Sequence, residues 1–238
     1  MPGGNVTEGT GAIGFVCAMP MEMKPLRGPL GLRREGDGRV LRGSLGGRPV
    51  VGVVTGMGTE LARTGTEELL DAAEVDHVVV VGITGALESE TPIGTLVRPE
   101  VVIDSATGDR HAPTPLGTGP TGGAMWTTDS LTTDAEDLAR LRADGVISLD
   151  METASIASIC EARGVPWSVV RAISDRANDG SVDEEVFGLS HQDGSPNWRA
   201  VARFVVTRPH RLPRLAAVGR GAQHAASVAA AEAVEVCR

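Results

Sequence analysis

The sequence predicts a three-layer α/β/α sandwich around a central mixed β-sheet. Three observations predict it. Short apolar runs bounded by Gly and Pro alternate with helical patterns over most of the chain. Several of these runs are continuous and β-branched instead of alternating, as in strands covered on both faces. The core must also come from Val, Leu, Ala and Ile: of 238 residues only 3% are aromatic, none is tyrosine, and 31 are glycine.

In chain order, residues 1–10 (MPGGNVTEGT) lack the basic start and apolar stretch of a signal peptide and read as a frayed tail. Residues 11–238 then form a single domain. Strands are expected over residues 12–19, 49–55, 77–81, 94–103, 146–149 and 167–173. Helices are expected over 60–73, 136–143 (N-cap Asp134, stop before Gly145) and 151–162 (stop before Gly164). Residues 106–123, rich in Gly, Pro and Thr, read as a long irregular loop, functional or mobile. An Arg-Pro-rich turn over 208–214 precedes an Ala-rich helix over roughly 215–236.

A net charge of -9, from 22 basic and 31 acidic residues, argues against nucleic acid or an anionic membrane as main partner. No apolar run approaches the ~18 residues of a membrane span. Three cysteines, Cys17, Cys160 and Cys237, are odd in number and lack metal-ligand spacing, so a reducing, cytoplasmic setting with no metal is expected.

Candidate chemistry lies at strand ends, where open α/β sheets collect their ligands. Glu22 follows the first strand; it could equally be a solvated glutamate in a helix's first turn. Thr55-Gly56-Met57-Gly58 joins a strand to a helix, so backbone N–H groups could face a ligand, or the turn could be an ordinary one. Gly82-Ile83-Thr84-Gly85-Ala86 follows a buried strand, where glycines mark close approach of backbone or ligand. Asp150-Met151-Glu152 brackets another strand end; its carboxylates could grip vicinal hydroxyls or cap a helix. Ser174-Asp175 ends the last strand, and Asp175 could donate a proton or cap. Together they describe an electronegative pocket suited to a polyhydroxylated substrate and an oxocarbenium-like transition state.

These residues resemble the nucleoside phosphorylase/nucleosidase superfamily, in particular the methylthioadenosine/S-adenosylhomocysteine nucleosidases. The matching strings are GFVCAMPME (14–22), TGMG (55–58), GITGAL (82–87), LDMETA (149–154) and VRAISD (170–175), in the family's order and spacing. The resemblance implies that Glu22 activates the attacking water, that Met151 and Glu152 bind ribose, and that Asp175, held by Ser174, protonates the purine. It implies no organic cofactor and a homodimer or higher homo-oligomer.

Departures from the family pattern bear on the acceptor and the substrate. Ile83 stands where the family often has serine, and no arginine precedes that segment. Water is therefore the expected nucleophile, with phosphate the alternative and Arg63 and Arg110 the candidate phosphate ligands. Leu131 or Trp126 replaces the usual base-stacking aromatic, and Phe187 is a candidate to close the pocket. The turn Arg208-Pro209-His210-Arg211-Leu212-Pro213 is similar to one in hopanoid-associated adenosyl phosphorylases, which supports the phosphate alternative. The altered Gly82–Ala86 segment also leaves open a nucleoside-binding protein without catalysis.

Overall fold

The computed structural model describes residues 10–132, 134–177, 184–191, 193–195 and 197–238, without the side chains of Glu184 and Phe187. The expected tail over 1–10 therefore lies, but for Thr10, outside the described residues.

The first strand, β1 (Ala12–Cys17), leads into helix α1 (Pro20–Arg27). Strands β2 (Arg33–Arg34), β3 (Leu41–Leu45) and β4 (Arg48–Val54) follow, then α2 (Thr59–Ala72) and the twelve-residue β5 (Val75–Ala86). Next come β6 (Leu96–Val97), β7 (Val101–Asp104), β8 (Arg110–His111), β9 (Ala124–Thr127), α3 (Ala135–Ala143) and β10 (Val146–Asp150). The chain ends with α4 (Thr153–Ala162), β11 (Trp167–Arg176), α5 (Glu184–Phe187), α6 (Trp198–Thr207), a 3-10 turn (Pro209–Arg211) and α7 (Leu212–Val236).

One mixed sheet carries these strands in the order β2-β3-β4-β1-β5-β10-β9-β7-β8, with β11 pairing β5 and β6. Strand β5 is its hub. It runs parallel to β1 and β11, and its last residues pair antiparallel with β10. On one face, Met23 and Leu26 of α1 and a stripe of small residues on α7 (Ala225, Ala229, Ala233) close over the sheet. On the other, Ala62 and Leu69 of α2 and Ala154, Ile156 and Cys160 of α4 do so. A smaller core lies under Leu138 and Leu141 of α3. The three-layer mixed-sheet sandwich is thus as the sequence predicts.

Several boundaries differ, each for a physical reason. The strand expected over 77–81 does not end before the glycine segment of residues 82–86; β5 continues through it, because β11 and β10 supply hydrogen bonds to both of its edges. Ser174 and Asp175 likewise lie within β11, beside a register slip between Ile173 and Asp175. The single strand expected over 94–103 is two, β6 and β7, flanking Pro99, which has no N–H for a ladder. The loop over 106–123 contains β8 and is pinned to β11: Thr114 N–H donates to the Trp167 carbonyl and Ser168 Oγ to that of Thr114. Asp134 caps α3, accepting from the N–H groups of Glu136 and Asp137.

Candidate active site

Strand β5 places the site at its second half, where α1, β10 and β11 converge on it. Glu22 sits in the first turn of α1 and is 1% exposed. It accepts from Met19 N–H at 2.8 Å, as half of a capping box, and from Ile83 N–H at 2.8 Å. It is therefore a helix-capping glutamate, but a buried one that reaches across to the sheet. Burial pushes its carboxyl above the ordinary glutamate value, against the Arg171 charge and the backbone donors.

Arg171 of β11 is the group on which the others turn. Its Nη2 lies 2.8 Å from Asp150 and 3.4 Å from Glu152; its Nη1 donates to the Ile83 carbonyl at 2.7 Å and its Nε to Thr153 Oγ1 at 3.1 Å. Every guanidinium nitrogen is thus engaged. Glu152 takes its second support from Gly58 N–H, at 3.0 Å. Burial, with the Asp150 and Glu22 charges, raises its carboxyl to about 7 despite Arg171. Asp150, two residues before the N-cap Glu152 of α4, accepts from the helix's first N–H, that of Thr153, at 2.9 Å and from the hydroxyls of Thr127 and Thr153. Of the two readings of the Asp150–Glu152 string, the capping one describes Asp150, and both carboxylates line the cavity with Arg171 paired to each.

Gly82 makes this packing feasible. A Cβ there would lie 2.4 Å from Glu22 Oε1 and 3.0 Å from Arg171 Nη1. Ile83 contributes its backbone to both charged groups, N–H to Glu22 and carbonyl to Arg171, so this part of its role does not depend on its side chain. Farther along, Thr84 Oγ1 donates to the Leu149 carbonyl, and Ser174 Oγ donates to the half-buried Asp175.

A cavity of about 290 Å³ opens here. Of the residues singled out in the sequence, Glu22, Met57, Ile83, Thr84, Gly85, Leu131, Asp150, Met151, Glu152, Ser174 and Asp175 line it. Thr55, Gly56 and Gly58 do not: Thr55 is buried beneath the turn and Gly58 holds Glu152. The side chain of Phe187 lies outside the described residues; its helix neighbour Val186 lines the cavity. Trp126 does not reach it, and neither do Arg63, exposed beside Glu60, and Arg110. Arg171 was not singled out, although a lone charge within the apolar run WSVVRAI was the signal that could have found it. Met19, Met21, Val218 and Ala222 also line the cavity and were missed. No group of three or more His, Cys, Asp or Glu able to hold a metal occurs among the described residues.

A mixed-sheet sandwich that gathers three buried carboxylates around one guanidinium, beside an Asp held by a Ser, defines a nucleoside phosphorylase-like protein. The family comparison makes this specific. The phosphorylase superfamily model matches residues 12–120 and 116–207, and the chain belongs to that family. The 5′-methylthioadenosine/S-adenosylhomocysteine nucleosidase of Actinobacillus succinogenes is 31% identical over 216 residues, covering 77% of this chain and 91% of that protein. The Haemophilus influenzae nucleosidase is 27% identical over 218 residues, covering 77% and 95%. Among solved structures, the Neisseria meningitidis nucleosidase in complex with methylthio-immucillin-A has a TM-score of 0.70 at 19% identity, covering 94% of this chain and 97% of that one. The Colwellia psychrerythraea nucleosidase in complex with adenine has a TM-score of 0.71 at 22% identity, covering 96% and 95%. At these identities the two structures bear on the fold alone.

Proposed function

We propose that the protein is an N-ribosyl hydrolase that cleaves the glycosidic bond of a 5′-substituted adenosine, such as methylthioadenosine or S-adenosylhomocysteine. The observation that carries this reading is that Glu22, Glu152 and Asp175 line one cavity, with Glu22 held by two backbone donors beside β5. In the proposed mechanism Asp175 donates a proton to the imidazole-ring nitrogen of the purine. The bond from ribose C1′ to the base breaks, and its electron pair leaves with the base. Glu152 accepts from the ribose hydroxyls, and its charge steadies the ribosyl cation. Glu22 takes a proton from water as the water oxygen bonds to C1′. A glutamate with a raised carboxyl is a stronger base than an exposed one, and it acts nearer to neutral pH.

Two observations favour water over phosphate. The only guanidinium lining the cavity among the described residues, Arg171, is spent on Asp150, Glu152 and Ile83. The nucleophile side presents the Glu22 carboxylate, which repels a dianion, and dianions need charge-assisted donors. The apolar remainder of the wall, Met19, Met21, Val186 and Val218, suits a 5′-thioether, and the methylthio group better than the zwitterionic homocysteinyl group. A homodimer or higher homo-oligomer in a cytoplasmic setting remains part of the proposal, and light scattering on the purified chain reads its assembly state.

The test is base release from methylthioadenosine, S-adenosylhomocysteine, adenosine and inosine, each with and without phosphate. Adenine and free ribose product without phosphate is the expected result. Release only with phosphate, accompanied by ribose 1-phosphate, overturns the hydrolase reading. Tight binding with no release from any of them overturns catalysis itself.

A further inference from the structure

The net charge that argues against an anionic membrane is an average, and its distribution is uneven. Residues 198–220 hold six arginines (Arg199, Arg203, Arg208, Arg211, Arg214 and Arg220) and none of the chain's 31 acidic residues. The same stretch holds the most exposed large apolar side chains among the described residues. Trp198 is 72% exposed, Val206 79% and Val205 41%. Helix α6 is fixed to the body by Phe204, which is buried and lies under Arg211, 5.5 Å from the ring centre. At 100° per residue, Val205, Trp198, Ala202 and Val206 fall in one outward sector, and Arg199 and Arg203 continue it along one flank.

We propose that α6 and the turn after it form a docking surface for an anionic lipid bilayer. An apolar sector with a Trp, flanked by arginines, is the pattern of a helix lying in a headgroup interface. The Trp enters the boundary, and the arginines meet lipid phosphates. Glu185 pairs with Arg208 and Arg211, so the electrostatic part rests chiefly on Arg199 and Arg203. A second copy of the chain is a poorer occupant, because a two-fold contact through this sector sets the arginine flank against itself. No helix of the described residues is long and apolar enough to cross a membrane, so the attachment is peripheral.

The test is co-sedimentation of the full chain with vesicles of phosphatidylcholine alone and of phosphatidylcholine mixed with phosphatidylglycerol, at low and high salt. Binding is expected only to the phosphatidylglycerol vesicles and is expected to weaken with salt. At about fivefold per arginine, R199Q/R203Q should bind about 25-fold more weakly. V206D, at an exposed site where unfolding is not at issue, should abolish binding, while nucleoside turnover in solution stays unchanged in both variants. No binding to either vesicle overturns the proposal, as does binding that neither variant alters. A V206D protein that loses a dimer in light scattering, without vesicle binding by the parent, also overturns it and assigns this face to a second copy.

Discussion

At the scale of single residues, Arg171 decides how the site holds together. Replacing it with Met leaves Asp150 and Glu152 buried without their counter-charge. Breaking a buried pair in this way costs about 3–5 kcal/mol, so R171M should unfold at markedly lower denaturant, whereas an exposed arginine such as Arg63 should tolerate the same change. Unfolding curves for R171M and R63M measure the contrast; equal midpoints would mean that Arg171 does not organise the cluster. Glu22 sets the second prediction. As the proposed general base it must be ionised to act, and burial raises its carboxyl, so the acid limb of the pH profile of kcat/KM should lie above the ordinary glutamate value. E22Q should lose about 10²–10⁴ in kcat and lose that limb too. A limb that persists in E22Q would assign it to another group. The carboxylates were legible in the sequence because each stands at the end of a strand or the start of a helix in a recognisable string. Arg171 was not, because an arginine inside a hydrophobic strand gives no hint of which buried carboxylates will face it from elsewhere in the chain.

At the scale of elements, β5 shows that the glycines mark close approach, as the sequence reading expects, but within the strand and not after it. Glycine usually weakens a strand, so the sequence reading ends the strand before Gly82, with the glycines marking close approach of backbone or ligand. Here paired neighbours on both edges keep the strand extended, and the missing side chains leave room for Glu22, Arg171 and Asp175. A methyl group at position 82 would press on the Glu22 carboxylate at 2.4 Å, in a spot where capping bonds leave that carboxylate no freedom to retreat. G82A should therefore cut kcat by at least tenfold and cost roughly 1–3 kcal/mol from overpacking. Steady-state kinetics beside thermal unfolding would check it; normal kcat in G82A would show that Glu22 can move aside. Elsewhere the hairpin of β3 and β4 was readable but went unread. Gly46-Gly47 joins the two strands with positive φ at both residues, 58° and 91°, as a two-residue hairpin turn requires. Helix α1 gave less to read, since Pro20 and Pro25 stand within it and its capping comes from Glu22 reaching back to Met19.

At the scale of the whole molecule, the site costs stability in a pH-dependent way. Three carboxylates, Glu22, Asp150 and Glu152, share one guanidinium in a buried cluster. The folded protein therefore keeps a proton that the unfolded chain releases. With Glu152 raised from 4.5 to about 7, the native state binds more protons across that window, and the free energy of unfolding falls as pH rises through it. Glu22 acts in the same sense. His77 acts in the opposite one: burial lowers it from 6.5 to about 4, so its contribution grows as pH rises over that range. Because these effects overlap between pH 4.5 and 6.5, the raw stability curve does not isolate the site, but a difference curve does. E152Q carries no ionisable group at this position, so relative to the parent it should gain stability from pH 4.5 to 7, by a few kcal/mol at most, and level off above. Urea unfolding of both proteins at several pH values reads this directly, and parallel curves would place the extra proton elsewhere. If Glu152 is the residue that accepts from ribose, a bound nucleoside analogue should stabilise the parent progressively more over the same pH window and stabilise E152Q by a constant amount. The acidity that makes the empty fold less stable toward neutral pH is then what the ligand uses to bind.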